Sequence, residues 1–386
     1  MARALVTSLL LCGAALGCRY TRPPVAAPAL IAEGRLVPFD GSDGEYRNSA
    51  LGFDRFGIPV VVHGRTLLMM ADHGANGSTL ADAAIDRLRL PHWYTGSARV
   101  DTLVRRDGDE VRPDSTAEVT FTHGDTLFQY WDVPDPTPLD SLRLGASRQD
   151  SVLLPLELPA AFLAPFDGIL GRDVLSQFDL LFDLPAATLR LYARSHAAAT
   201  GRPPEWLPPG FRARDCVPAR VLRHTMDTTG LDNDGRRALL VNPAKRLWEQ
   251  EEMRVPLVVD GRPADGAFDS GAGATVMNWA EARTLGITRA SPRVRPYKAG
   301  GSRMITVNGR RMTGASDSTF AVPGLALRVG DARLRADTVF IADVDFADSP
   351  DNATAPMLTL GMRLLRDERL FLSYSTGFAC LTRRAQ

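Results

Sequence analysis

The chain has 386 residues, enough for two lobes with ample core, and 45% of it is hydrophobic against 23% charged. Lysine plus arginine and aspartate plus glutamate each total 45, so the formal net charge is zero, without the positive excess that binding a nucleic-acid backbone requires. Four cysteines and six histidines exclude a disulfide-dense scaffold and a histidine-rich metal centre, while 33 glycines and 27 prolines favour many short strands over long helices.

At the N-terminus, Arg3 precedes an apolar stretch from Ala4 to Leu16. It is too short to span a bilayer and has the length of a signal-peptide core. It ends in Ala15-Leu16-Gly17-Cys18, which resembles a bacterial lipobox with Ala15 in place of the usual leucine, so that Cys18 would carry lipid. An ordinary cleaved signal peptide is the alternative. The Pro/Ala-rich run from Tyr20 to Pro28 reads as a tether. Residues 1–17 are thus expected to be a signal and 18–44 a tether, with the protein exported to the cell envelope and lipid-anchored to a membrane. Cys216 and Cys380 remain in the mature body, either as one disulfide in an oxidising compartment or as two separate buried thiols. Neither Cys-x-x-Cys nor Cys/His ligand spacing occurs, so neither a metal nor another cofactor is expected.

The body of the chain contains an internal repeat. Residues 58–90 and 255–287 align without a gap at an offset of 197, with ten of 33 positions identical; chance would supply about two. The identities include Pro59/Pro256, Gly64/Gly261, Arg65/Arg262, Asp72/Asp269, Gly74/Gly271 and Ala75/Ala272. Each copy begins with a short β-branched run, Ile58 to Val62 or Val255 to Val259, that suits a strand. A glycine turn follows, then a second extended segment ending at the aspartate. Beyond the aspartate the chain turns at a glycine, and Leu80, Ala84, Ile85 and Leu88 recur at helical spacing. Each copy therefore delivers one aspartate at a loop tip.

A second matching pair closes each half. Gly168-Ile169-Leu170-Gly171 and Leu358-Thr359-Leu360-Gly361 are apolar strands that reach a glycine and pass into a short helix. A strand pair follows each, Leu180 to Phe182 with Leu189 to Tyr192, and Leu370 to Leu372 with Phe378 to Cys380. Gly171 and Gly361, lacking a Cβ, would permit close approach to the aspartate loops. The expected organisation is an N-terminal lobe over 45–195, a connection over 196–250 and a C-terminal lobe over 251–386.

Asp72-His73-Gly74-Ala75 and Asp269-Ser270-Gly271-Ala272, each with its downstream glycine segment, resemble the aspartic peptidases. The alanine three places after each aspartate is more similar to the retropepsin group, and the chain resembles bacterial retropepsin-like aspartyl proteases with two units fused. The resemblance implies an all-β, bilobal acid-protease fold, with two pseudo-symmetric β-barrel lobes and short helices. It implies a monomeric endopeptidase acting on a peptide or protein, with Asp72 and Asp269 as a coupled catalytic pair. Two carboxyls about 3 Å apart cannot both ionise, so one activates a water while the other polarises the scissile carbonyl. Gly74 and Gly271 would allow the loops to approach closely.

In that family the hydroxyl after each aspartate hydrogen-bonds across to the opposite loop. Ser270 can do so, whereas His73 departs from the pattern. Its imidazole either replaces the cross-loop bond through a ring nitrogen or misaligns Asp72. Misalignment would leave an inactive pseudo-peptidase that binds peptides or proteins at the cell envelope. A protonated imidazole there would favour ionised carboxylates and shift activity to lower pH. Gly96 and Gly300-Gly301 are candidate flap tips, and Trp93, Tyr94, Tyr130 and Trp131 candidate cleft aromatics.

Overall fold

The computed structural model describes residues 25–38, 54–62, 65–75, 78–81, 84, 87, 97–105, 111–120, 142–144, 147–149, 154–156, 165–194, 202–227, 247–297, 304–307, 310–313, 319–335, 338–341 and 356–383. The chain is all-β with a few short helices. The elements that build the site run β1 (Leu30–Val37), β2 (Arg55–Val62), β3 (Arg65–Ala71), β4 (Thr79–Ala81), β5 (Gly168–Leu170), α1 (Arg172–Leu175), β6 (Phe178–Asp183) and β7 (Thr188–Ala193). They continue as β8 (Cys216–Pro218), β9 (Leu247–Val259), β10 (Arg262–Asp269), β11 (Thr275–Met277), α2 (Trp279–Thr284), β12 (Leu358–Gly361), β13 (Glu368–Ser373) and β14 (Phe378–Arg383).

The two halves repeat one topology. The antiparallel hairpin β2–β3 corresponds to β9–β10, and its return strand in each half pairs in parallel with the glycine strand, β3 with β5 and β10 with β12. That glycine strand then pairs antiparallel with the short strand after the aspartate, β5 with β4 and β12 with β11. In the second hairpin, Asp260 and Gly261 both have positive φ, 46° and 84°. Two such residues twist a two-residue turn to match the strands it joins, and Asp and Gly are suited to those positions.

The halves meet in one run of six strands, ordered β8-β14-β13-β6-β7-β1. At its centre β6 and β13 are antiparallel, and Leu181 stands opposite Phe371. These two residues hold the same place in their respective halves, so a local two-fold relation passes between them. Every residue of β6 is buried and nearly every residue of β13, which is why their centres, Leu180 to Phe182 and Leu370 to Leu372, are continuous apolar runs. Phe56, Ile58, Leu67, Phe182, Leu370 and Leu372 belong to one buried cluster that continues through both halves, and Phe56 meets Phe182 edge to face at 5.6 Å.

Ion pairs, two of them largely buried and one part-buried, add to the contact between the halves. Arg172 of α1 binds Glu252 of β9 at 2.9 Å, Arg194 binds Glu251 at 2.7 Å, and Arg369 binds Asp183 at 2.9 Å. Cys216 and Cys380 face each other across β8 and β14 and are joined as a disulfide.

Several expectations change. Among the described residues the strands form two large sheets, and neither closes on itself. At the seam β6 and β13 pair with each other and so join strands of both halves, among the described residues, into one 13-stranded sheet. Residues 30–37, expected in the tether, form β1 and are held between β7 and β2. The expected connection over 196–250 contains β8 and the strand Arg220–Asp227, both paired into sheets. Leu80 lies in β4 rather than in a helix, while Ala84 is helical as its spacing suggested; the second copy turns helical at α2, capped by the Asn278 side chain accepting from Glu281 N–H. The signal, Cys18, the flap candidates Gly96 and Gly300-Gly301, and the aromatics Trp93, Tyr94, Tyr130 and Trp131 lie outside the described residues.

Candidate active site

Asp269 ends β10 and Asp72 immediately follows β3, so equivalent hairpins present the two carboxyls. Parallel pairing fixes each backbone: Asp72 N–H donates to Leu170 O at 2.9 Å, and Asp269 stands opposite Gly361 in register. Each carboxylate folds its own loop back on itself. Asp72 Oδ1 accepts from Gly74 N–H and Ala75 N–H at 2.9 and 3.0 Å. Asp269 Oδ1 accepts from Gly271 N–H and Ala272 N–H at 2.8 and 3.0 Å.

The two carboxyls are brought together by the interleaved loops, Gly74 lying against the carboxyl of Asp269 and Gly271 against that of Asp72. Burial, then the neighbouring charge of Asp72, pushes Asp269 up from 3.8 to about 7. Hydrogen bonding from Gly271 and the positive charge of Arg55 act in the opposite direction. Arg55, the first residue of β2, is only 7% exposed and feels the charges of both Asp72 and Asp269. A pair of this kind holds one proton between two oxygens near neutral pH. It can take a proton from water with one carboxyl and donate a hydrogen bond with the other.

The loops are interlocked. Ser270 Oγ accepts from His73 N–H at 2.8 Å and donates to Ala71 O at 2.9 Å, so one hydroxyl clamps the opposite loop on both sides of Asp72. From the other loop, the His73 ring reaches Phe268 O through Nδ1 at 2.9 Å. Phe268 precedes Asp269 as Ala71 precedes Asp72, so the imidazole makes the bond that a hydroxyl would make there. Its Nε2 bonds the Tyr374 hydroxyl.

His73 is therefore not the cation considered from sequence. It is 2% exposed, and burial lowers it from 6.5 to about 4, leaving a neutral ring. Because Phe268 O can only accept, Nδ1 carries the proton and Nε2 accepts from Tyr374.

Gly171 and Gly361 are placed behind the loops by matching contacts. Gly171 N–H donates to Ser78 Oγ at 2.9 Å and Gly361 N–H to Thr275 Oγ1 at 3.2 Å. The next residues donate back to the aspartate loops, Arg172 N–H to Ala75 O at 2.8 Å and Met362 N–H to Ala272 O at 2.9 Å. A Cβ at Gly361 would overlap the Ala274 carbonyl, which is the close approach expected of that glycine.

The structure thus brings together Asp72, Asp269, His73, Gly74, Ser270, Gly271, Gly171 and Gly361. The Cys216–Cys380 bond belongs to the six-strand run instead. Sequence reading passed over Ser78, Thr275, Arg55 and Tyr374. The first two could have been found, since they occupy the same repeat position and both carry a hydroxyl. The last two have no local signal: Arg55 lies ahead of the aligned copies, and 301 residues separate Tyr374 from His73. Among the described residues no group of three or more His, Cys, Asp or Glu could hold a metal ion. No protein-family model matches the chain, and no curated protein matches it either.

Proposed function

We propose that the chain is an aspartic endopeptidase of retropepsin-like type, built as a bilobal acid protease with one catalytic aspartate from each half. The observation that carries this reading is that equivalent loops place the Asp72 and Asp269 carboxyls at one point, each against the glycine of the opposite loop, where burial and the charge of Asp72 raise the affinity of Asp269 for a proton. The ionised member of the pair takes a proton from water while the protonated member polarises the peptide carbonyl. The water oxygen adds to the carbonyl carbon, and collapse of the tetrahedral species breaks the C–N bond as the pair returns a proton to the leaving amine. Both carboxyls come from one chain, so a monomer suffices. Export and lipid anchoring through Cys18 would place the cleft at the bacterial cell envelope, facing peptide or protein substrates.

The test is cleavage of heat-denatured casein at mildly acid pH by the purified protein. Asp72→Asn and Asp269→Asn, each shown to be folded by circular dichroism, are expected to lose cleavage at least a thousandfold. Wild-type rates in either variant would overturn the assignment. Binding of the casein by wild-type protein without cleavage would favour the pseudo-peptidase reading instead.

A further inference from the structure

The cross-loop lock is asymmetric, and one residue outside both loops completes it. With Nδ1 bonded to Phe268 O and Nε2 to Tyr374, neither ring nitrogen of His73 is free to accept from the Ser270 backbone N–H. The Ser270 hydroxyl makes two cross-loop bonds and His73 makes one, so the lock has three such bonds where two hydroxyls would make four. The remaining imidazole nitrogen is buried and must be satisfied from elsewhere.

We propose that Tyr374 is a positioning residue for the carboxyl pair, donating its hydroxyl proton to His73 Nε2 and thereby holding the imidazole in the tautomer that ties Asp72's loop to Phe268. This rests on the peptidase reading above for its consequence in catalysis, though not for its geometry.

The logic is one of proton placement. Phe268 O cannot donate, so the bond to it exists only when Nδ1 bears hydrogen. In a neutral ring Nε2 is then bare, and a bare buried acceptor is costly. If the ring took the other tautomer, Nδ1 would present a lone pair to the Phe268 carbonyl oxygen and the loops would part. The Tyr374 hydroxyl removes that choice. It is itself fixed: the residue is 2% exposed, and the Arg194 guanidinium stands 5.9 Å from its ring centre. Glu251 O, 3.5 Å away, is a second acceptor within reach of the one hydroxyl proton, but His73 Nε2 is much the nearer, and the Glu251 side chain is paired to Arg194. Arg172 and Glu252, the other charged groups that act on both His73 and Tyr374, are paired to each other.

The second half explains why this is a matched pair of changes. Tyr374 follows β13 as Leu184 follows β6, so the pair His73/Tyr374 corresponds to Ser270/Leu184. A larger reaching group on one loop goes with a polar terminus at the seam; the small hydroxyl goes with a leucine, which is buried at 7% exposure.

The test pairs nitrogen-15 NMR of the histidine rings with casein cleavage, using Tyr374→Phe, His73→Thr and the two combined. His73 is expected to show one Nδ1–H tautomer in the wild type and a mixture in Tyr374→Phe, with kcat lowered about tenfold and KM within twofold. In the His73→Thr background, where a hydroxyl makes the lock, Tyr374→Phe should change kcat by less than twofold. His73→Ser with Tyr374→Leu, copying the other half, should recover more activity than either single change. An unchanged His73 tautomer in Tyr374→Phe overturns the proposal, as does an equal loss of kcat in the threonine background. Should wild-type protein cleave nothing, the peptidase reading fails while the tautomer measurement still decides the lock.

Discussion

Gly74 lies directly against the carboxyl of Asp269, and Gly271 lies in the same way against the carboxyl of Asp72. A Cβ added at either glycine would overlap the opposite carboxyl, far inside van der Waals contact. The demand for glycine here comes from the partner's side chain rather than from an unusual φ. Gly74→Ala must therefore push Asp269 away from Asp72 or tilt its own loop. A displacement of about 1 Å at reacting groups costs on the order of a hundredfold in rate. Gly74→Ala and Gly271→Ala are each expected to lower kcat on denatured casein by at least that factor, with the fold intact by circular dichroism.

Arg55 supplies positive charge to both carboxyls and has no counterpart of its own sign, since the position 197 residues later is Glu252, which binds Arg172. Its field favours the ionised state of Asp269 and opposes the upward push of burial. Arg55→Met removes that field, so the pair should hold its proton to higher pH, by up to about one unit. The alkaline limb of the pH–kcat/KM profile should move up accordingly, whereas Arg55→Lys should leave it near the wild-type position. A profile unmoved in Arg55→Met would show that solvent screens the guanidinium from the pair.

The parts of this site that lie within one repeat copy were legible before any coordinates. Asp72, Gly74, Asp269 and Gly271 repeat at one offset, and the segments ending at Gly171 and Gly361 follow each at similar distance. The strand pairs around them could be read from β-branched runs and turns. What sequence could not carry was pairing between distant segments. Residues 30–37 look like the end of a Pro/Ala tether, yet β7 and β2 supply partners on both sides. Nor does the composition of either strand encode that β6 and β13 pair with each other across the two halves. His73 looked like a defect in a motif of hydroxyls until Tyr374, far along the chain, gave its second nitrogen a partner.

The two perturbed groups at the centre give stability opposite slopes with pH. Asp269 binds its proton more tightly folded, at about 7, than its ordinary 3.8. Between those values the folded protein retains a proton that the unfolded chain releases, so this group's contribution to stability declines as pH rises. Asp269→Asn is therefore expected to be more stable than wild type at pH 7, with the difference in Tm shrinking towards pH 4. His73 behaves in the reverse sense. Its folded value of about 4 lies below its ordinary 6.5, so the unfolded chain binds a proton that the folded one excludes, and stability is lost as pH falls through that interval. The full shift corresponds to about 3 kcal/mol. His73→Thr should lose this acid-side decline in denaturant titrations between pH 6.5 and 4, while a decline of unchanged size would assign it to other groups.

The Cys216–Cys380 bond joins segments 164 residues apart and sits at the outer edge of the six-strand run, where β8 contributes only three residues. Closing so long a loop restricts the unfolded chain, and the chain-entropy argument allows up to about 5 kcal/mol for it. The bond does not touch the aspartate loops, which are held by the Ser270 and His73 contacts and by the strand pairs on either side of them. Stability and catalysis should therefore separate. The double variant Cys216→Ser/Cys380→Ser is expected to unfold at lower denaturant, by roughly 2–5 kcal/mol, and to keep casein cleavage within twofold below its own unfolding transition. Reductant should lower the wild-type midpoint to that of the double variant and leave the variant itself unmoved. If reduction abolished cleavage while the fold persisted, the seam would be transmitting strain to the carboxyl pair, and the independence of the two regions would be lost.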